Sequence, residues 1–123
     1  MSGELRTEDR FLLMVEDNSV MAEAVSAALC RRGYDVERCE TIADARQRIA
    51  VKAPRYALVD LRLPDGSGLS LVQELRRANP AASIVVLTGF ANIPTAIEAI
   101  KLGASNYLCK PADIASVDAA LQG

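Results

Sequence analysis

Four apolar runs in this sequence each give way to residues that phosphoryl-transfer chemistry can use: Glu16 and Asp17 after the first, Asp60 after the second, Thr88 after the third and Lys110 after the fourth. Parallel strands of an open α/β sheet deliver their C-terminal ends to one edge, where residues far apart in sequence share a crevice. Three carboxylates, a hydroxyl and an amine would then meet in one pocket. At ~5 Å and an effective dielectric near 20, each carboxylate pair costs about 3 kcal/mol before screening, so something must compensate. A hard divalent cation does so, and Mg²⁺ favours one or two carboxylates with water and phosphate oxygens. Glu16 and Asp17 are therefore assigned as metal-side acids, directly or through water, with Asp60 as third carboxylate and candidate nucleophile. Lys110 supplies a mobile point charge able to pair with Asp60 at rest and with a transferred phosphoryl group afterwards. Thr88 can donate a hydroxyl hydrogen bond to the same group.

Taken singly, each of these residues has a plainer reading. An acidic pair after a strand is commonly a helix N-cap, and Asp17 or Asn18 is suited to capping the next helix. Asp60 alone reads as a solvated turn residue, Thr88 as a strand-end hydroxyl and Lys110 as a surface cation. Their joint placement at four strand ends favours the shared site.

The elements that must position them alternate. Phe11 to Val15 is a continuous apolar run, too short for a helix, that reads as a strand buried on both faces. Met21, Val25, Ala28 and Leu29 follow at helical spacing toward Arg31-Arg32-Gly33, with cations in the last turn and glycine as C-cap. Tyr34 to Cys39 is a shorter, more polar strand suited to a sheet edge, and Thr41-Ile42-Ala43-Asp44 resembles a capping box opening a helix to about Val51. Tyr56 to Leu61 is the next strand. Pro64-Asp65-Gly66-Ser67-Gly68 reads as a flexible turn into a helix marked by Leu71, Val72 and Leu75. Ser83 to Leu87 is a strand, and Ile93, Ile97 and Ile100 form the expected inner stripe of a helix with Pro94 in its first turn and Gly103 beyond its end. Ser105 to Cys109 is a fifth strand, and Ile114, Val117 and Leu121 mark a last helix. The predicted fold class is α/β: a (βα)5 doubly wound parallel five-stranded sheet, flavodoxin-like, with right-handed crossovers and helices on both faces.

Composition bounds the rest. The 123 residues fit one domain, here 11–122 after a polar segment 1–10. Hydrophobic residues make up 50% and aromatics only 4%, so the core must be aliphatic. A net charge of -2 with scattered cations argues against a nucleic-acid surface. Histidine is absent, which excludes a Ser-His triad, a phosphohistidine carrier and most zinc sites. Cys30, Cys39 and Cys109 are odd in number and lack CxxC spacing, so they read as small buried hydrophobes in a reducing compartment. No apolar run approaches the ~18 residues of a membrane span. A soluble, cytoplasmic protein is expected.

The stretches Val15-Glu16-Asp17-Asn18, Leu58-Val59-Asp60-Leu61-Arg62-Leu63-Pro64-Asp65-Gly66-Ser67-Gly68, Val86-Leu87-Thr88-Gly89 and Lys110-Pro111 resemble the receiver domain of two-component response regulators, the CheY-like fold. Val85 to Leu108 is similar to the redox and photosynthesis regulators of the RegA/PrrA/ActR kind. The resemblance implies that Asp60 accepts a phosphoryl group from the phosphohistidine of a sensor histidine kinase. It implies Mg²⁺ held by Glu16, Asp17, Asp60 and the backbone carbonyl of Arg62, catalytic roles for Asp60, Thr88 and Lys110, a Thr88/Tyr107 switch, and a cis bond before Pro111. The signal then passes to the surface of the fourth helix, fifth strand and fifth helix. Side chains two residues beyond Asp60 and Thr88 flank the path of attacking water in such domains. Here they are Arg62 and Phe90, both large, which predicts a long-lived phosphoryl state. Gly89 leaves the site open to a bulky donor.

The protein is thus expected to be a self-phosphorylating and autodephosphorylating phosphoacceptor rather than a conventional enzyme, with a homodimer on phosphorylation as a possible assembly. Relatives of the RegA/PrrA/ActR kind continue into a helix-turn-helix domain, so the expected output is transcription through a C-terminal DNA-binding domain absent from this chain. The alternative is a stand-alone single-domain receiver acting by protein contact. A haloacid-dehalogenase-type phosphatase would need a second Asp where Arg62 stands. In a flavodoxin-type carrier, Glu16 and Asp17 would repel the flavin phosphate. Cys109 beside Lys110 would be a redox sensor only with a low thiol pKa and exposure.

Overall fold

Every residue of Phe11–Val15 (β1) is buried, as an apolar strand covered on both faces must be. In the computed structural model, which describes residues 10–123, it is followed by Ser19–Arg31 (α1), Asp35–Cys39 (β2), Ile42–Val51 (α2), Tyr56–Val59 (β3), Leu69–Ala78 (α3), Ser83–Thr88 (β4), Ile93–Leu102 (α4), Asn106–Cys109 (β5) and Ile114–Gln122 (α5). The sheet order is β2-β1-β3-β4-β5, every pair parallel, with the polar β2 at an edge as its composition suggests. The polar segment read at 1–10 lies, except for Arg10, outside the described residues.

Alternation along the strands sorts the core into two layers. Leu13, Val15, Ala57 and Val59 point to one face, where α2, α3 and α4 contribute Ile42, Ala45, Leu71, Val72, Leu75 and Ala99. Leu12, Met14 and Leu58 point to the other, against Ala22, Leu29, Val117, Ala120 and Leu121 of α1 and α5. The doubly wound (βα)5 architecture is thereby confirmed. Below α1 and α5, the Tyr34 hydroxyl donates to Asp118 at 2.6 Å and accepts from Gln122 at 2.6 Å, while Arg32 bonds the other Asp118 oxygen at 2.8 Å. The Arg10 guanidinium sits 4.1 Å from the centre of the Tyr34 ring.

Three expectations are corrected. Ile93, Ile97 and Ile100 are not an inner stripe: they are 76%, 51% and 50% exposed, and α4 instead turns Thr95, Ala96, Ala99 and Leu102 inward. Both rows repeat at helical spacing, and the smaller one fits the layer beside α3, where the helix ends approach so closely that a Cβ on Gly103 would lie 3.0 Å from Arg76 Cβ. Of the cysteines only Cys39 is buried, while Cys30 and Cys109 are exposed. The turn expected after Asp60 is present at Pro64-Asp65, but as the tip of a short hairpin. Arg62–Leu63 pairs antiparallel with Gly66–Ser67, and the Asp65 carboxylate at its tip accepts the amides of Ile42 at 2.8 Å and Ala43 at 3.0 Å. Thr41 caps α2 through the Asp44 amide, so the α2 N-terminus is closed from two sides.

Candidate functional site

Glu16, Asp60 and Lys110 each stand one position beyond a strand and remain hooked to the neighbouring strand by the amide. Glu16 N–H donates to the Cys39 carbonyl at 3.0 Å, Asp60 N–H to Val15 at 3.0 Å and Lys110 N–H to Thr88 at 2.9 Å. The ladder therefore carries three distant segments to one edge in register.

There the Lys110 ammonium lies 2.7 Å from Glu16 Oε1 and 2.9 Å from Asp60 Oδ2. Both carboxylates are nearly buried, at 3% and 6% residue exposure. Burial works against the charge on Lys110, yet the hydrogen bonds and attraction of the two carboxylates prevail and hold it above the ordinary lysine range. Glu16 Oε2 also accepts the Asn18 amide at 3.0 Å, and Asp60 Oδ1 faces the Arg62 amide at 3.4 Å. Asn18, not Asp17, caps α1 by accepting the Met21 amide at 3.1 Å. Asp17 is thus left for the cleft, exposed and, among the described residues, without a hydrogen bond to its carboxylate.

Glu16, Asp17 and Asp60 present carboxylate oxygens within 4.8 Å of one another. Three carboxylates facing one ammonium make an electronegative, all-oxygen donor set, which fits a hard divalent cation. The open cleft here has a volume of about 430 Å³ and is lined by Glu16, Asp17, Asn18, Asp60, Arg62, Phe90 and Lys110. The Arg62 guanidinium carbon lies 3.8 Å from the centre of the Phe90 ring.

Thr88 and Tyr107 are not among the residues that line this cleft. Thr88 is fully buried and its hydroxyl accepts the Phe90 amide at 3.2 Å. Tyr107 is half-buried against the α2–α4 core layer, its hydroxyl 2.6 Å from Thr95 Oγ1 at the start of α4. The Lys110-Pro111 bond is cis. A Cβ on Gly89 would meet nothing within 4 Å, whereas one on Gly68 would overlap the Asp60 carbonyl oxygen and lie 2.9 Å from Val59 Cγ1. Gly68 is therefore where the chain must return across the peptide of Asp60.

Sequence reasoning missed Arg38, whose Nε donates to the Glu16 carbonyl at 3.0 Å. It also missed the grip of Asp65 on α2. Neither left a signal, because a charged residue in an edge strand and an acid in a turn are ordinary solvated positions.

A family model described as the response regulator receiver domain matches residues 12–122. The chain is 46% identical over 114 residues to the photosynthetic apparatus regulatory protein RegA of Rhodovulum sulfidophilum, covering 93% of this chain and 62% of that protein. It is 41% identical over 119 residues to the acid tolerance regulatory protein ActR of Rhizobium meliloti, covering 97% of this chain and 61% of that one. Among solved structures, a response regulator from Burkholderia pseudomallei, with a phosphorylated aspartic acid, calcium ion and citrate, superposes with a TM-score of 0.88 at 42% identity. That likeness covers 92% of this chain and 66% of the other. The chain thus spans about three-fifths of the curated relatives it matches.

Proposed function

The chain belongs to the response regulator receiver domain family, and we propose that within it Asp60 is the phosphoacceptor, taking a phosphoryl group from the phosphohistidine of a sensor histidine kinase. The observation that carries this reading is the Lys110 ammonium bridging Glu16 and Asp60, with Asp17 beside them, at the open end of the sheet.

Asp60 offers a carboxylate oxygen as nucleophile. The P–N bond of the donor breaks as the P–O bond forms, and the leaving imidazole takes the electron pair. Glu16, Asp17, Asp60 and the backbone carbonyl of Arg62 would hold Mg²⁺, which when bound offsets the negative charge of carboxylates and phosphoryl oxygens. Lys110, already paired with Asp60, exchanges that carboxylate for a phosphoryl oxygen. Thr88 uses its hydroxyl to accept from Phe90, so its own proton remains available to the phosphoryl group. Drawing Thr88 forward vacates space toward which the Tyr107 ring turns, releasing its contact with Thr95. The signal then reaches the surface of α4, β5 and α5, where Ile93, Ile97 and Ile100 stand exposed. That apolar row is suited to a partner or a second copy.

Two outputs follow. The regulatory names of the similar proteins, which extend beyond the matched region, support transcription control through a DNA-binding segment outside this chain. The exposed isoleucine row favours protein contact as the immediate event. No described helix is long and apolar enough to cross a membrane. Incubation with Mg²⁺ and acetyl phosphate should add one acid-labile phosphoryl group to the wild type and none to Asp60→Asn. Equal labelling of both proteins would refute the assignment.

A further inference from the structure

We propose that Arg38 is a positioning residue for the acidic pair, acting through the Glu16 peptide on the carboxylate of Asp17. The inference rests on the metal-binding reading above and deepens it.

Arg38 is the penultimate residue of β2, opposite Met14 in the register, and its side chain is only 22% exposed. Its Nε donates to the Glu16 carbonyl at 3.0 Å. The next residue, Cys39, accepts the Glu16 N–H at 3.0 Å. Two consecutive residues of the edge strand therefore hold both main-chain polar groups of Glu16.

The Glu16 carbonyl belongs to the peptide unit that launches Asp17. That unit is planar, so orienting its oxygen orients the amide and Cα of Asp17 as well. Glu16 itself has little need of this help, because Lys110 and the Asn18 amide already hold its carboxylate. Asp17 has no such restraint among the described residues, so its carboxylate is placed by its backbone. Arg38 restrains the peptide before Asp17, and the Asn18 amide on Glu16 Oε2 restrains the one after it.

The cost of the arrangement supports a functional reason for it. Among the described residues, Arg38 Nη2 is buried without a hydrogen-bond partner and Nη1 faces only the exposed Glu40 at 3.5 Å. A buried donor left idle is unfavourable and an exposed ion pair gains little, so stability alone is poorly served by a guanidinium here. Its positive charge also opposes a nearby divalent cation, so any gain in metal affinity must come from geometry. Arg38→Lys keeps the charge and discards the planar fork, isolating that term.

The test is a calorimetric Mg²⁺ titration of the unphosphorylated protein in four forms: wild type, Arg38→Lys, Asp17→Asn and the double variant, with amide exchange at Asp17 and urea unfolding in parallel. Arg38→Lys should weaken Mg²⁺ binding about fivefold, the scale of one hydrogen bond, and speed exchange of the Asp17 amide. In the Asp17→Asn background the same change should cost almost nothing, because the route through Asp17 is already lost. Unaltered Mg²⁺ affinity in Arg38→Lys, even with lowered urea resistance, would overturn the positioning role and leave Arg38 a structural residue. Additive losses in the double variant would overturn the route through Asp17. If Asp17→Asn itself leaves Mg²⁺ affinity unchanged, the metal-site reading fails with it, an outcome the single variants distinguish.

Discussion

Arg62 stacks on Phe90, its guanidinium carbon 3.8 Å from the ring centre, so side chains two positions beyond Asp60 and Thr88 form one pair in the wall of the cleft. A cation–π contact of this kind is worth ~0.5–2 kcal/mol. If water must part the pair to reach phosphorylated Asp60, Arg62→Ala with Phe90→Ala should lose its phosphoryl label roughly two- to thirtyfold faster, by the same energy. Each single variant should reproduce most of that change, because either one breaks the stack. An unchanged decay in the double variant would remove the stack from any control of lifetime.

Gly68 and Gly89 offer a paired test of packing. The φ of Gly68 is -65°, open to any residue, so its requirement is one of space rather than conformation. Backbone cannot yield as a flexible side chain can, and Gly68→Ala should cost at least ~2 kcal/mol in urea unfolding and slow phosphorylation of Asp60. Gly89→Ala meets open space and should stay within about 0.5 kcal/mol of wild type.

Tyr34 gives an alkaline signature. Burial first, and then the bond to Asp118, push its phenol up from 10.0 to about 12. A phenol kept neutral by the fold contributes stability that is whole below pH 10 and lost as pH rises toward 12. The unfolding free energy measured between these pH values should fall steeply in wild type and less so in Tyr34→Phe.

Asp65 gives the acid counterpart. The Ile42 and Ala43 amides, in that order, hold its carboxyl below the ordinary aspartate range. Its contribution is therefore whole above that range and lost as pH falls through the lowered value. Asp65→Asn should speed hydrogen exchange at Ile42 and Ala43 at neutral pH, and wild type should approach the same rates in acid once intrinsic exchange is corrected.

Glu16, Asp17, Asp60 and Lys110 were legible because strand ends are a topological consequence of alternating elements: once five short apolar runs are separated by helical spacing, their final residues share an edge. Thr88 was legible in position but not in contact, since its hydroxyl turns to Phe90. The outward isoleucines of α4 were misread because periodicity defines a face without its direction, and alanine, with little burial to gain, gives the true inner row a weak signal. Arg38 and Asp65 act on main-chain groups of other elements, contacts set by the third dimension that no local spacing encodes.

The ammonium of Lys110 closes contacts spanning 94 residues to Glu16 and 50 to Asp60. No contiguous fragment short of nearly the whole chain contains all three groups. A polypeptide that ends before Lys110 cannot form the pocket. Competence to receive a signal therefore waits until the chain from Glu16 through Lys110 has folded together.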